Sequence, residues 1–218
     1  NDLCIDVGWS SLNKYGEQLC GDHVETIEQT DPSLIFVLAD GLGSGVKANI
    51  LSTLTAKIIS TMMANSMSLE ECVSTIASTL PVCRKRGIAY STFTILRITD
   101  NKEAEIIQYD NPHVILLRNG KNHEYRKDRI EIDGKKYINQ NWTVYAGVGH
   151  TLNFGWQREN IINYMEKNYQ ESHGAKSIST LLLDVCNRLY EGMPGDDTTI
   201  GAVKVRRRKS VNLLIGPP

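Results

Sequence analysis

The stretch Leu34-Ile-Phe-Val-Leu-Ala-Asp40-Gly-Leu-Gly-Ser-Gly45-Val-Lys-Ala48 decides the fold of this chain. The apolar run before Asp40 is too short to span a membrane and has the length of a strand that is covered on both faces. The glycines after Asp40 permit tight turns and let main-chain groups approach an ion or ligand closely. The stretch therefore predicts a buried strand that delivers one carboxylate, Asp40, to a site.

Composition narrows the class of protein. The chain has 218 residues, and its 41% hydrophobic content is enough for one domain with a sizeable core. Lysine and arginine number 24 against 25 acidic residues, a net charge of -1. This balance gives no electrostatic reason to expect nucleic acid or an anionic membrane as a partner. The role of the acidic residues must therefore be inferred from their positions in the sequence.

The cysteines and the chain ends carry further expectations. The five cysteines are widely spaced and include no C-x-x-C pair, which argues against a zinc site or redox activity and favours reduced thiols. No signal-peptide pattern and no long apolar run is present, so we expect a cytoplasmic protein. Because the chain starts without methionine and stops after the apolar run Val211–Ile215, we also expect a piece of a longer protein.

The order of predicted elements favours an α+β fold. Strands come first, then two helices, a set of strands with hairpin turns, two more helices and a last strand from Thr198. This order does not alternate strand and helix, so a parallel doubly wound sheet is disfavoured. We expect an α-β-β-α sandwich of two stacked, mainly antiparallel sheets flanked by helix pairs.

Three local patterns make specific structural predictions. Apolar residues recur every four positions after the glycine loop, at Val46, Ile50, Leu54, Ile58 and Met62, with Leu51, Ile59 and Met63 beside them. Together they predict one wide buried stripe on the first helix. Ser68 and Glu71 have the spacing of a capping box, which predicts the start of the second helix. The run His113–Arg118 predicts a strand before the hairpin turn Asn119-Gly120. The sheet is expected to continue through Glu124-Tyr125 and Ile130–Ile132 to about Tyr145.

Acidic residues stand at three predicted strand ends, each beside a glycine. They are Asp22, Asp40 and the pair Asp196-Asp197. Carboxylates and backbone carbonyls are hard oxygen ligands of the kind that Mg²⁺ and Mn²⁺ prefer. Any one of these turns alone is more often only a turn, but together they predict a metal site.

Two other readings of the glycine loop fit less well. Gly41-Leu-Gly43-Ser-Gly45 lacks the G-x-G-x-x-G spacing of a dinucleotide site, which leaves a nucleotide-binding oxidoreductase as a weak alternative. Ser44 lacks the G-x-S-x-G context of a nucleophilic serine, so a serine hydrolase is also disfavoured.

The acidic motifs carry a family resemblance. Asp40-Gly-Leu-Gly-Ser-Gly45 before a long helix, with Gly195-Asp196-Asp197-Thr198-Thr199 opening the terminal strand, resembles the metal-dependent serine/threonine phosphatases of the type 2C (PPM) class. The closest branch is the bacterial one of sporulation stage II protein E. Cys20-Gly21-Asp22 and Asp110-Asn111-Pro112-His113 extend the resemblance over nearly the whole chain.

The resemblance implies a binuclear Mn²⁺ or Mg²⁺ site at one edge of the sandwich. Asp40 would bridge both ions, the Gly41 carbonyl would bind one of them, and Asp196 would bind the other. Asp197 would support Asp196, and Asp22 would bind directly or through water. Asp40 and Asp196 are accordingly the expected catalytic residues. The phosphatase domain is expected over residues 1–209, with 210–218 as the start of a linker or following region.

Two positions depart from the family pattern. Leu42 stands where eukaryotic relatives carry a histidine, so no general acid is assigned. The family's Ser-Asp-Gly triplet has no counterpart in the acid-free stretch 139–146 around Trp142. Two explanations remain open: a segment is missing from this sequence, or the protein lacks this ligand and binds metal more weakly.

The resemblance implies hydrolysis of phosphoserine or phosphothreonine by attack of a metal-activated water. The expected substrate is a phosphorylated regulatory protein, for which an anti-anti-sigma-type protein is a candidate. The alternative hypothesis is a non-catalytic or weakly active sensor or scaffold on the same fold, motivated by the missing aspartate near Trp142.

Overall fold

The computed structural model describes residues 3–28, 33–80, 91–100, 103–125, 130–132, 135–137 and 156–207. Its helices are α1 (Gly45–Ala64), α2 (Leu69–Thr79), α3 (Arg158–Asn168) and α4 (Ala175–Leu189). Its strands are β1 (Leu3–Leu12), β2 (Asp22–Glu28), β3 (Leu34–Gly41), β4 (Ser91–Thr99), β5 (Glu103–Tyr109), β6 (Leu117–Arg118), β7 (Lys121–Asn122), β8 (Ile130–Ile132), β9 (Lys135–Tyr137) and β10 (Thr198–Arg207). Within these ranges no helix is both long and apolar enough to cross a membrane.

The two main sheets are antiparallel and stacked, which confirms the predicted α+β class. One sheet has the order β2-β3-β4-β5, and the other pairs β1 with β10. Helices α1 and α2 cover the outer face of the four-stranded sheet, and α4 packs on β1 and β10. Phe36 of β3 joins the sheets: a Cβ added to Gly201 of β10 would lie 2.4 Å from the Phe36 ring.

Each helical layer approaches its sheet closely at a glycine. A Cβ on Gly41 of β3 would lie 2.1 Å from the carbonyl oxygen of Ala48 in α1. A Cβ on Gly8 of β1 would lie 2.2 Å from the backbone nitrogen of Lys176 in α4. Both clashes involve backbone atoms, which cannot rotate away, so the absence of a side chain sets the distance between helix and sheet.

The predicted buried stripe of α1 is wrong on its first half. Val46, Ile50 and Leu54 are 62%, 58% and 48% exposed. The residues that face the sheet are mostly small, namely Ala48, Ser52, Thr55, Ala56, Ile59, Ser60 and Met63. Small side chains are needed here because α1 lies so close to Gly41 that large aliphatic groups would not fit.

The buried hydroxyl groups of α1 are satisfied within the helix itself. Ser52 donates to the Asn49 carbonyl at 3.1 Å, and Thr55 donates to the Leu51 carbonyl at 2.7 Å. A buried hydroxyl costs little when it is hydrogen-bonded, so these polar residues can face the core. The predicted stripe thus holds at Ile59 and Met63, which are 0% and 2% exposed, and fails over the first half of the helix.

Helix α2 agrees with its prediction. The capping box is present, with the Glu71 backbone N–H donating to Ser68 Oγ at 3.2 Å and the Ser68 N–H donating to Glu71 at 2.9 Å. Its apolar face joins β3 and β4 in one core cluster through Leu69, Cys72, Val73 and Ile76.

The strand predicted over His113–Arg118 is only partly formed, since β6 begins at Leu117. The preceding backbone bonds to side chains instead of to a neighbouring strand. Arg158 donates to the carbonyls of His113 and Val114, and the Tyr125 hydroxyl donates to Val114 as well. The Val114 N–H donates to the Gln108 side chain at 3.3 Å. These partners occupy the groups that a sheet ladder would need.

The hairpin turn that follows is confirmed. Asn119 and Gly120 have φ values of 52° and 72°, and they join β6 to β7. Both residues thus adopt the left-handed backbone that an Asn-Gly hairpin turn requires. Glu124-Tyr125, predicted to extend the sheet, lies outside any strand. The acid-free stretch 139–146 lies outside the described residues.

Candidate metal centre

Asp22 and Asp40 face each other at one end of the four-stranded sheet. Asp22 opens β2, Asp40 lies next to the end of β3, and the antiparallel register pairs them directly. The Gly41 N–H donates to the Gly21 carbonyl at 3.0 Å, which closes the ladder beyond this pair. Directly paired residues of neighbouring strands lie close together, so two carboxylates meet at this edge.

The Asp196-Asp197 turn is held at the same edge by the connection between β1 and β2. The backbone N–H of Lys14 donates to Asp197 Oδ1 at 2.9 Å. The N–H of Tyr15 donates to the Pro194 carbonyl at 2.8 Å. Within the turn, the Asp197 N–H donates to Asp196 Oδ1 at 3.0 Å. The second sheet therefore brings its acidic turn to the end of the first.

The carboxylates interact strongly enough to alter their protonation. The pKa of Asp40 is raised by desolvation and by the negative charges of Asp22, Asp196 and Asp197. The pKa of Asp22 is raised by desolvation and by Asp197 and Asp196, while a hydrogen bond with Thr199 opposes the shift. Asp40 is open to solvent, which screens part of these effects. In the ion-free protein the cluster favours binding of protons, and a cation would replace them.

One oxygen at this edge has no partner. Asp197 Oδ2 is buried and, among the described residues, makes no hydrogen bond. It lies 2.7 Å from the position that a Cβ on Gly21 would take, so this glycine leaves room for the carboxylate. A buried carboxylate oxygen without a donor is costly unless a ligand satisfies it. The residues present therefore fit a hard cation by their chemistry.

Comparisons with known proteins bear on this arrangement. The family model of stage II sporulation protein E (SpoIIE) matches residues 30–130, which include Asp40 and the glycine loop. The phosphatase domain of SpoIIE from Bacillus subtilis has a similar structure, with a TM-score of 0.67 and 16% identity over 100% of this chain and 99% of that one. The SpoIIE-like resemblance is confirmed.

Two further solved structures share this SpoIIE-like fold. RsbX, determined in complex with magnesium, has a TM-score of 0.60 at 18% identity and covers 94% of this chain and 97% of its own. The S. agalactiae serine/threonine phosphatase has a TM-score of 0.60 at 14% identity and covers 93% of this chain and 100% of its own. No curated protein matches the sequence. At these identities the likeness shows a common type 2C phosphatase fold.

The predicted metal ligands are near one another but not arranged around a common point. In the part of the chain that the structure describes, no three His, Cys, Asp or Glu side chains surround a common point where an ion would sit. The mutual pKa effects link Asp22, Asp40, Asp196 and Asp197 all the same. The assignment of these residues and of the Gly41 carbonyl as metal ligands stays a prediction.

Three residues at this edge were not predicted from the sequence as part of the site. Gly21 makes space for Asp197, Thr199 bonds to Asp22, and Lys14 holds Asp197 from the β1–β2 connection. Gly21 and Thr199 stood in motifs that the sequence analysis quoted, but neither was assigned a role in the site. Lys14 carries no local signal, because its contact with Asp197 joins residues from opposite ends of the chain.

Proposed function

We propose that this chain is a metal-dependent protein phosphatase that acts on phosphoserine or phosphothreonine. The observation that carries the proposal is the meeting of Asp22 and Asp40 with the Asp196-Asp197 turn at one edge of a SpoIIE-like sandwich. This edge is open to solvent at Asp40 and Asp196, as a site for a protein substrate must be.

The residues that would hold two Mn²⁺ or Mg²⁺ ions are Asp22, Asp40, the Gly41 carbonyl, Asp196 and Asp197. Their oxygens form the hard donor set that these cations prefer. RsbX, which shares the fold, was determined with magnesium, which supports this choice of cation. When bound, such ions lower the pKa of water for attack on phosphorus and stabilise the charge of the phosphoryl group.

The protein's own groups prepare the site in three ways. The Lys14 N–H fixes one oxygen of Asp197 and leaves the other without a partner. The Asp197 N–H fixes Asp196 Oδ1 in the same turn. The Asp22 and Asp40 pair holds a proton in the absence of cation, because desolvation raises the pKa of both groups and the charge of Asp22 raises the pKa of Asp40 further. Asp40 and Asp196 are the proposed catalytic residues.

We further propose a phosphorylated regulatory protein as the substrate. The SpoIIE-like resemblance and a solved structure from work on the bacterial stressosome support a substrate of this kind. The net charge of -1 gives no reason to expect nucleic acid.

Phosphate release from a phosphoserine peptide with Mn²⁺ tests the catalytic claim. We expect release by the unchanged protein and a loss of at least about 10²-fold in Asp40→Asn, since one charge that stabilises the transition state is removed. Asp184→Asn is the matched control, because it makes the same chemical change at an exposed position of α4. Equal release by the unchanged protein and Asp40→Asn, or none by either, would overturn the proposal.

A second candidate is a sensor or scaffold that keeps the fold and binds metal weakly. The observation that favours this candidate is that, among the described residues, the acidic side chains do not surround a common point. Calorimetric titration with Mn²⁺ separates the two candidates. Tight binding of two ions that is lost in Asp40→Asn would exclude the sensor, and weak binding without phosphate release would support it.

A further inference from the structure

Thr199 of β10 stands between the two sheets at the acidic edge. Its hydroxyl shares a hydrogen bond with the carboxylate of Asp22, the first residue of β2 in the other sheet. The same hydroxyl lies 2.9 Å from the Oγ atom of Ser11, its directly paired residue on β1. The Sγ atom of Cys20 is a third neighbour, at 3.8 Å. One hydroxyl group thus links three strands.

The two threonines at the start of β10 use their hydroxyls on opposite faces of the strand. Thr198 is buried, and its Oγ1 atom lies 2.9 Å from the hydroxyl of Tyr190 at the end of α4. Thr199 faces the other way, toward Asp22, because successive side chains of a strand alternate. The Thr198 hydroxyl therefore anchors the strand to α4, whereas the Thr199 hydroxyl serves the acidic edge.

Strand β1 shows the same alternation. Ser10 faces α4, where its hydroxyl lies 3.0 Å from that of Thr180. Ser11, the next residue, faces Thr199 instead. Two separate hydroxyl networks therefore flank β1. One lies against α4, and the other reaches the predicted metal ligand Asp22 through Thr199.

The hydroxyl network suits a carboxylate that binds a cation. An ionised carboxylate can only accept hydrogen bonds, whereas a hydroxyl can donate one and accept two. Thr199 can therefore donate to Asp22 while it accepts the proton of Ser11. A donor of this kind fixes one oxygen of Asp22 and leaves the other oxygen for a cation.

We infer that Thr199 is a positioning residue for Asp22: its hydroxyl fixes the orientation of this carboxylate for cation binding, and Ser11 supports that hydroxyl from β1. The inference rests on the proposed phosphatase function, in which Asp22 helps to hold Mn²⁺ or Mg²⁺. Thr199 itself is not a metal ligand. Because the donor and the carboxylate belong to different sheets, the affinity of the site for metal depends on how the sheets are stacked.

The first test measures Mn²⁺ affinity by calorimetry, without substrate. Thr199→Val keeps the shape of the side chain and removes its hydroxyl, so we expect Mn²⁺ binding to weaken by about tenfold or more. Thr199→Ser keeps the hydroxyl and should stay within about threefold of the unchanged protein. Thr180→Val is the matched control, because it removes a hydroxyl from the other network of β1. Unchanged affinity in Thr199→Val, or no Mn²⁺ binding by the unchanged protein, would overturn the inference.

The second test separates positioning of Asp22 from support of the fold. Urea denaturation in EDTA should give Thr199→Val a midpoint close to that of Thr180→Val, since its role concerns the bound cation. Thr199→Ala provides a second variant without the hydroxyl, and it should lose as much Mn²⁺ affinity as Thr199→Val. If Thr199→Ala binds Mn²⁺ as tightly as the unchanged protein, or if Thr199→Ser loses as much affinity as Thr199→Val, the hydroxyl does not position Asp22 and the inference fails.

The third test uses turnover of a phosphoserine peptide and keeps the two proposals distinct. Thr199→Val should need about tenfold more Mn²⁺ for half-maximal release, because a higher cation concentration compensates for weaker binding. At saturating Mn²⁺ its kcat should return to within about threefold of that of the unchanged protein. A fall in kcat that added Mn²⁺ does not restore would overturn the inference.

The combined results distinguish failure of one proposal from failure of the other. If the unchanged protein binds Mn²⁺ in a manner that depends on Thr199 but releases no phosphate, the phosphatase proposal fails and the positioning role stands. If it releases phosphate and Thr199→Val has an unchanged Mn²⁺ affinity and requirement, only the inference about Thr199 fails.

Discussion

Helices α1 and α2 both carry apolar residues at helical spacing, but they bury different kinds of side chain. Helix α2 places its large aliphatic residues in the core, as at Val73 and Ile76, which are 1% and 2% exposed. Helix α1 leaves Val46 and Ile50 in water and buries small residues such as Ala48 and Ala56. The two helices lie on the same sheet and belong to the same core cluster.

The difference follows from how closely each helix approaches the sheet. At Gly41, α1 lies so near to β3 that a methyl group would meet the backbone of Ala48. Close contact excludes large side chains from the first half of the α1 interface, whereas Ile59 and Met63 are buried farther along the helix. This contact also fixes the glycine loop, and with it Asp40 and Ser44, at the acidic edge. The close packing of α1 on β3 thus helps to position the candidate site.

The largest expected effect comes from truncating matched isoleucines on the two helices. Ile76→Ala in α2 should lower the free energy of unfolding by about 2–5 kcal/mol, because it leaves a cavity in the core. Ile50→Ala in α1 should change it by no more than about 0.5 kcal/mol, since the side chain is 58% exposed. Urea denaturation followed by circular dichroism measures both. Similar losses in the two variants would show that the outer face of α1 is covered.

An intermediate effect is expected from filling the contact between α1 and β3. Gly41→Ala should lower the free energy of unfolding by about 1–3 kcal/mol, because the added methyl overpacks the interface. The clash is with backbone atoms of Ala48, so Ala48→Gly should not rescue the variant. Thermal denaturation of the single and double variants is the measurement. Recovery in the double variant would mean that side chains, not backbone, set the distance.

The smallest expected effect is a pH dependence of the ion-free protein at the edge that α1 supports. The pKa of Asp40 is raised from its usual 3.8 by desolvation and neighbouring carboxylates. The folded state therefore binds more protons than the unfolded state above that value, so this contribution lowers stability as pH rises from about 4 toward neutrality.

Asp40→Asn removes this titration. In EDTA, the variant should gain stability relative to the unchanged protein between pH 5 and pH 7.5, by less than about 1 kcal/mol after solvent screening. Urea denaturation at both pH values provides the comparison, with Asp184→Asn as the control. If Asp40→Asn instead lost stability relative to the unchanged protein as the pH rises, the raised pKa of Asp40 would be contradicted.

Much of the fold could be predicted from local patterns. The capping box at Ser68, the hairpin at Asn119-Gly120 and the order of strands and helices are all encoded by neighbouring residues. Local patterns could not show that the strand expected from His113 begins only at Leu117. Its backbone bonds to Arg158, which comes much later in the chain, and no local pattern reports such a partner.

The candidate site likewise combines features that the sequence shows with features that only the folded chain shows. Acidic residues beside glycines at strand ends were visible in the sequence, and the register of β2 and β3 brings Asp22 and Asp40 together as directly paired residues. The contribution of Lys14 was not visible, since its contacts reach Asp197 and Ser44 across large sequence separations. The buried, unpartnered Asp197 oxygen beside Gly21 is likewise a property of the folded chain.

The sequence by itself determined the α+β class, the strand that ends in Asp40 and the acidic turns, because hydrophobic period, glycine and capping residues act over a few positions. Only the tertiary structure decided which residues are buried in the first half of α1 and which side chains meet at the acidic edge. The reason is physical: burial depends on how closely two elements approach, and that distance is set at Gly41 and Ala48 by backbone contact between residues that no local pattern connects.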